Sequence, residues 1–149
     1  MMIVGRIKLL LADDDEDDRF FFKDSLSKLP FETDLTTVTN GVELMSMLLT
    51  GGKNIPDVIF LDLNMPMKSG FECLSEIMRH DKLKQLPIII YSTSMDEPVV
   101  NTLYEQGAFH YIRKPGEYSK LKDVIFKGLS SLMNKPVKPT KENFVIQSS

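Results

Sequence analysis

The sequence predicts a single α/β domain, in which a doubly wound parallel sheet carries helices on both faces. Three observations lead to this prediction. The chain has 149 residues, a usual length for one domain, and 42% of them are apolar, which is enough for a buried core. Five short, nearly continuous apolar runs are typical of strands that are buried on both faces. A segment with helical spacing follows each run, as in successive right-handed β-α-β crossovers.

Several of the predicted strands are rich in β-branched residues, which pack well on a pleated sheet. In chain order, we expect strands at Ile7–Ala12, Leu35–Thr39, Val58–Leu63, Pro87–Ser92 and Phe109–Arg113.

Each predicted helix places apolar residues three or four positions apart. The first one carries Phe22, Leu26 and Leu29 on the same face. The fourth helix is expected to end near Gly107, because glycine readily adopts the left-handed conformation that ends many helices. In chain order, we expect helices at Glu16–Leu29, Val42–Leu49, Phe71–His80, Asp96–Gln106 and Glu117–Met133.

The last sixteen positions have a different character from the rest of the chain. They contain Pro136 and Pro139 among mostly polar residues. We therefore interpret residues 1–133 as the folded domain and residues 134–149 as a flexible C-terminal tail. Neither histidine, His80 or His110, has sequence neighbours that suggest catalysis, and we expect both at the surface.

The composition argues against several classes of function. The net charge is −3 and no long basic tract occurs, so we expect no direct binding to nucleic acid. Cys73 is the only cysteine, which excludes an internal disulfide and favours a cytoplasmic location. No apolar stretch approaches the roughly 18 residues of a membrane span, so we expect no membrane insertion.

Charged and hydroxyl side chains follow four of the five predicted strands, at the point where each strand ends. Asp13 and Asp14 follow the first strand, and Asp62 lies at the tip of the third. Ser92 ends the fourth strand and Lys114 follows the fifth. Sites in doubly wound sheets form beyond the carboxyl ends of the strands, so we expect these side chains to converge there.

The acidic run Asp13–Asp18 requires an explanation, because like charges repel one another beside an apolar segment. A hard cation between Asp14 and Asp62, with Asp13 holding a coordinated water, provides one. Oxygen ligands without convergent His or Cys residues favour Mg²⁺. The last three acids of the run fall in the first turn of a helix, where negative charge opposes the helix dipole and contributes about 0.3–1 kcal/mol each.

The residues alone leave alternatives open. The acidic run is also compatible with a solvated helix start, or with a calcium loop, although Asp18 stands where such a loop needs glycine. Asp62 could serve a magnesium-dependent phosphatase, although Asn64 stands where that class usually has a second acid. A protein that only binds partners is the third possibility.

Four segments, in this order and spacing, resemble the receiver domain of two-component response regulators. They are "LLLADDDEDD", "PDVIFLDLNMPMKSGFE", "PIIIYSTS" and "GAFHYIRKP", and the resemblance extends from about Arg6 to Leu132. It implies the flavodoxin-like (βα)5 fold, with five parallel strands in the order 2-1-3-4-5. The short stretch after Leu132 leaves no room for an output domain, so we expect a stand-alone receiver.

The resemblance implies a phosphoryl acceptor and a metal site. Asp62 corresponds to the phosphoacceptor of the family, which receives its phosphoryl group from a sensor histidine kinase or a phosphotransfer protein. Asp13 and Asp14 correspond to the acidic pair that holds Mg²⁺, and the backbone carbonyl of Asn64 would complete the protein ligands together with Asp62.

The resemblance also implies a switch. Lys114 corresponds to the lysine that contacts the phosphoryl group. Ser92 corresponds to the hydroxyl residue that moves towards the phosphoryl group. Tyr111 corresponds to the aromatic residue whose rotamer reports activation. The peptide bond between Lys114 and Pro115 is often cis in the family, and Thr93 stands where the family usually has a smaller residue, which would narrow access to the site.

The expected function is therefore a signalling module in the phosphorelay of a two-component system, and not an enzyme. Phosphorylation of Asp62 would alter the face formed by the fourth helix, the fifth strand and the fifth helix. A downstream protein would bind that face, and a homodimer through the same face is possible in receivers of this type.

Overall fold

The computed structural model of the chain describes residues 5–134 and 137–148. Residues 1–4 of the predicted domain, and residues 135, 136 and 149 of the predicted tail, lie outside the described residues. Three short 3-10 turns, at Gly52–Asn54, Tyr118–Lys120 and Lys141–Asn143, supplement the regular elements. In chain order the regular elements are β1 (Ile7–Ala12), α1 (Glu16–Ser27), β2 (Thr33–Val38), α2 (Gly41–Thr50), β3 (Val58–Leu61), α3 (Gly70–Met78), β4 (Ile88–Ser92), α4 (Glu97–Glu105), β5 (His110–Arg113), α5 (Leu121–Asn134) and β6 (Val145–Ile146).

The strands of the described residues form one sheet in the order β2-β1-β3-β4-β5-β6, and each neighbouring pair is parallel. The predicted α/β fold is confirmed, and so is the order 2-1-3-4-5 for the first five strands. The predicted number of strands was wrong by one, because β6 extends the sheet beyond β5. All five predicted strands and helices form, with ends that differ from the predicted ones by a few residues.

Helices cover both faces of the sheet, as expected. Alternate residues of β1 point to opposite faces, so that Leu10 packs in one core cluster while Leu9 and Leu11 pack in the other. The first cluster contains residues of α2, α3 and α4, and the second contains residues of α1 and α5. Burial on both faces explains why β3 and β4 consist of uninterrupted apolar residues before the site begins.

Polar side chains fix the points at which four of the helices begin. Asp15, Asn40, Ser69 and Asp96 each accept a hydrogen bond from a backbone N–H in the first turn of α1, α2, α3 and α4, respectively. These caps set where each loop from the carboxyl edge of the sheet enters its helix. Within the described residues no helix combines the length and the apolar character required to traverse a lipid bilayer.

The C-terminal segment corrects the prediction of a flexible tail. Val145 and Ile146 pair with Tyr111 and Ile112 of β5, and Phe144 is only 1% exposed. The Phe144 ring packs edge-on against Tyr104 of α4. The prediction failed because the apolar run Phe144–Ile146 is too short to indicate a strand by itself. Part of it forms a strand because the edge of β5 would otherwise be unpaired.

His110 is buried, which corrects the expectation of a surface histidine. Its Nδ1 lies 2.9 Å from the carbonyl oxygen of Phe144, and its Nε2 lies 2.7 Å from Ser131 Oγ on α5. Burial lowers the pKa of His110, although the bond to Phe144 opposes this shift. A neutral imidazole therefore ties the C-terminal segment to the sheet and to α5.

We predict that Phe144→Ala lowers the free energy of unfolding by about 2–4 kcal/mol, because it removes a fully buried ring and leaves a cavity. Urea titration at neutral pH measures the change. The matched control is Phe20→Ala, at a phenylalanine that is 63% exposed, and we expect a change below about 0.5 kcal/mol there. Equal, small changes at both positions would contradict the docked C-terminal segment.

Candidate functional site

Backbone pairing brings four strand ends to one edge of the sheet. Ala12 is in register with Leu61, and Ser92 with Arg113, so the residues that follow these positions emerge side by side. The N–H of Asp62 donates to the carbonyl of Ala12 at 3.0 Å, and the N–H of Lys114 donates to the carbonyl of Ser92 at 2.8 Å. The predicted convergence of these chain segments therefore follows from the parallel ladder itself.

Three carboxylates meet at this edge. Asp13, Asp14 and Asp62 each offer one oxygen, and these three oxygens lie within 4.8 Å of one another. Asp13 and Asp62 are buried, while Asp14 is exposed to solvent. The backbone N–H of Asn64 lies 3.4 Å from Asp62 Oδ1, which places the fourth predicted metal ligand at the same loop. A set of hard oxygen donors at this spacing fits a small divalent cation.

Burial and mutual repulsion raise the proton affinity of the acids. Burial is the main reason why the pKa of Asp62 rises to about 6; Lys114 opposes this rise and Asp13 adds to it. Burial likewise raises the pKa of Asp13, again against the effect of Lys114. A cation bound among these groups would favour their ionised forms, so the electrostatics also fit a metal site.

Lys114 places a positively charged ammonium group beside these carboxylates. Its Nζ lies 2.9 Å from Asp13 Oδ2, 2.9 Å from Asp18 Oδ2 and 3.7 Å from Asp62 Oδ2. The side chain is only 8% exposed, and its Nζ lies 4.7 Å from the centre of the Tyr91 ring. Burial lowers the pKa of Lys114, but the surrounding carboxylates outweigh burial and the net shift is upward.

Asp18 and Tyr91 are two neighbours of Lys114 that the sequence analysis missed as site residues. Asp18 was assigned only to the helix start, and the structure does place it in the first turn of α1. A signal for its second role exists in the sequence. Asp18 precedes the fully buried Phe22 by four positions, so both lie on the inward face of α1.

Ser92 and Tyr111 are connected through Ser94. Ser92 is buried and its Oγ lies 3.2 Å from Ser94 Oγ. The Tyr111 hydroxyl donates to the backbone carbonyl of Ser94 at 2.7 Å, and the Tyr111 side chain is fully buried. The two predicted switch residues are therefore not in direct hydrogen-bond contact, and Ser94 bridges them.

The loops after β4 and β5 form the rim of the site. Thr93, Lys114 and Pro115 line a cavity of about 220 Å³ together with residues of α1, including Asp18 and Phe21. Thr93 therefore lies beside the cavity that leads to Lys114. The sequence analysis expected Thr93 to narrow access to the site at this place. The bond between Lys114 and Pro115 is trans, as are the other peptide bonds of residues 5–134 and 137–148, so the expected cis bond is absent there.

Comparison with known proteins identifies the family that the chain resembles. The model of the response regulator receiver domain matches residues 9–126. The sensor histidine kinase CheAY of Helicobacter pylori is 36% identical over 74% of this chain, which spans only 14% of the length of CheAY. Response regulator Rcp1 of Synechocystis sp. is 31% identical over 71% of this chain and 75% of its own.

Solved structures agree with these sequence matches. The phosphorylated cyanobacterial phytochrome response regulator RcpA has a TM-score of 0.78 and 31% identity, with 89% of this chain and 97% of that chain covered. The Mn²⁺-bound form of Rcp1 has a TM-score of 0.75 and 28% identity, with 90% and 99% covered.

We predict that Asp62→Asn stabilises the metal-free protein at pH 7.5 by on the order of 1–2 kcal/mol, because it removes a buried charge whose pKa is raised to about 6. In the folded chain Asp62 keeps its proton to a higher pH than in the unfolded chain. The stabilisation that comes from the protonated form of Asp62 is therefore complete below pH 4, and it is lost as the pH rises through about 6.

Urea titrations of both proteins between pH 4 and pH 7.5 measure this difference, which we expect to disappear at the acidic end. Asp17→Asn, at an exposed acid of the same run, is the matched control and should not gain stability at pH 7.5. A gain in stability of the same size at pH 4 and pH 7.5 would contradict the raised pKa of Asp62.

Proposed function

The chain belongs to the response regulator receiver domain family, and we propose that it is a phosphorelay receiver that accepts a phosphoryl group on Asp62. The observation that carries this proposal is the convergence of three carboxylates and the Lys114 ammonium at one edge of the sheet. All of these residues lie within the part of the chain that the family model matches. The phosphoryl transfer would serve to change a surface that a partner protein binds.

A divalent cation is the proposed cofactor, with Mg²⁺ as the physiological ion. Carboxylate oxygens of Asp14 and Asp62 would hold it directly, together with the backbone carbonyl of Asn64, and Asp13 would hold a water bound to the ion. When bound, Mg²⁺ supplies positive charge to the oxygens of the phosphoryl group. The Mn²⁺-bound form of Rcp1, a similar chain, supports a divalent ion in this fold.

The transfer step forms one bond and breaks another. A carboxylate oxygen of Asp62 attacks the phosphorus atom, and the bond between phosphorus and the donor breaks with its electron pair going to the donor. The departing atom is an imidazole nitrogen of a phosphohistidine, or a carboxylate oxygen of a small acyl phosphate. A pKa of about 6 leaves Asp62 mostly ionised at neutral pH, as a nucleophile must be.

Lys114 is proposed to bind the transferred group. Its Nζ is 3.7 Å from Asp62 Oδ2, so a small rotation of the side chain brings the ammonium to a phosphoryl oxygen. A charge-assisted hydrogen bond of this kind is about twice as strong as one between neutral groups. Water that later attacks the phosphorus atom would restore the Asp62 carboxylate and release inorganic phosphate.

Ser92 is proposed to start the conformational response. Its hydroxyl would turn from Ser94 towards a phosphoryl oxygen, and the loss of the Ser92–Ser94 contact would then reach Tyr111 through the carbonyl of Ser94. An inward rotation of Tyr111 is not required here, because the ring is already buried. The proposed response is a change in the hydrogen bonds of Tyr111, which biases a two-state surface.

The proposed partner-binding surface lies on α4, β5 and α5, and the C-terminal segment contributes to it. Lys138 contacts the Tyr104 ring on α4, while Lys127 on α5 donates to the carbonyl of Gln147 at 3.1 Å. A downstream protein, or a second copy of the chain, would therefore meet this segment beside β5. The N–H of Tyr111 donates to the Phe144 carbonyl at 3.1 Å, which links the proposed switch to the same surface.

The donor is proposed to be a sensor histidine kinase or a phosphotransfer protein. The similarity to part of CheAY, which is named as a sensor histidine kinase, supports a donor of that class. A signalling role is favoured over an aspartate-dependent phosphatase because Asn64 stands where such an enzyme usually has a second acid.

We predict that incubation with a small acyl phosphate and Mg²⁺ labels the chain with one phosphoryl group, which hydroxylamine removes because it is an acyl phosphate. Asp62→Asn should abolish the label. Asp81→Asn, at an exposed acid outside the site, is the control and should be labelled like the wild type. Phosphate release over many turnovers would instead indicate an enzyme, and a wild-type chain without label would contradict the proposed function.

A further inference from the structure

The ammonium of Lys114 is bonded to an acid that lies outside the proposed metal site. Its distance to Asp18 Oδ2, 2.9 Å, equals that to Asp13 and is shorter than the 3.7 Å to Asp62. We propose that Asp18 is a positioning residue that retains Lys114 away from Asp62 and thereby slows the phosphorylation of Asp62. This inference rests on the proposed function, because it assigns Asp18 a role in the same reaction.

The packing of α1 against the sheet fixes the position of Asp18. The Asp15 side chain accepts from the N–H of Asp18 at 3.0 Å, which sets the first turn of α1. One turn further, Phe22 packs edge-on against Phe60 and Tyr91, with ring centres 4.9 Å and 5.6 Å apart. The backbone of Asp18 therefore cannot follow Lys114 if the lysine turns towards Asp62.

Lys114 is confined from the other side as well. The Tyr91 ring lies beneath its ammonium, and Lys114 itself is almost completely buried. Among the described residues, the carboxylates within 4 Å of the ammonium are those of Asp13, Asp18 and Asp62. Asp13 is proposed to serve the metal ion, so Asp18 is the acid that competes with the phosphoryl group for Lys114.

The phosphoryl group and Asp18 differ in how strongly they attract Lys114. A phosphoryl group presents several charged acceptor oxygens, so it attracts Lys114 more strongly than one carboxylate does. The contact to Asp18 nevertheless occupies one N–H donor of the ammonium and holds Lys114 on that side, and the negative charge of Asp18 also opposes an approaching anionic donor. Replacing the carboxylate by a neutral amide of the same shape removes the repulsion and weakens the contact with Lys114, because the amide oxygen still accepts a hydrogen bond but carries no charge.

The test compares Asp18→Asn with Asp17→Asn. Asp17 is the adjacent, exposed acid of the same helical turn, so both variants change the net charge and the helix start alike. With a small acyl phosphate below saturation and Mg²⁺ present, we expect Asp18→Asn to be labelled roughly two- to five-fold faster than the wild type, the range of a partly exposed ion pair. Asp17→Asn should differ from the wild type by less than about two-fold.

Two further measurements separate positioning from a general structural effect. Asp18→Glu keeps the charge and should keep the slow rate. Beryllofluoride, a stable mimic of the phosphoryl group, should bind Asp18→Asn more tightly than Asp17→Asn by roughly the same two- to five-fold factor. A merely structural role of Asp18 would weaken this binding rather than strengthen it.

Labelling of Asp18→Asn at the rate of Asp17→Asn, or more slowly, would overturn the role of Asp18 while the proposed function stands. Labelling of Asp18→Glu as fast as Asp18→Asn would overturn it as well. A wild-type chain that takes no label on Asp62 would overturn the proposed function, and the role of Asp18 with it.

Discussion

The site depends on one constraint: the parallel ladder fixes two buried carboxylates, those of Asp13 and Asp62, close together at the carboxyl edge of the sheet. Asp13 and Asp62 follow directly from adjacent strands, which lie about 4.8 Å apart in any sheet. Neither acid can move away without breaking backbone hydrogen bonds, and both are buried. The repulsion between them is therefore built into the fold, and it makes the site receptive to positive charge.

Most of the fold and much of the site could be predicted from the sequence, because both follow from patterns that are local in the chain. β3 consists of consecutive apolar residues, as does β4 up to Tyr91, and this pattern identifies strands buried on both faces. Asp13, Asp62 and Lys114 could be predicted to converge because each follows a strand of the same parallel sheet. Their positions needed no knowledge of side-chain packing.

The features that the sequence did not reveal depend on contacts between distant segments. The strand β6 forms because β5 offers an unpaired edge and because Phe144 finds a buried site beside Tyr104. His110 is buried for the same reason, since its hydrogen-bond partners are Phe144 and Ser131. Asp18 looked like part of a helix start, and its contact with Lys114 arises only when α1 packs beside the end of β5.

The most direct test of this account is a crystal structure of the protein grown with Mn²⁺, in which anomalous scattering locates the ion. The account predicts one strong peak at the carboxyl edge of the sheet, coordinated directly by carboxylate oxygens of Asp14 and Asp62. Occupancy at another place alone, or Asp13, Asp14 and Asp62 with their carboxylates turned apart, would contradict it.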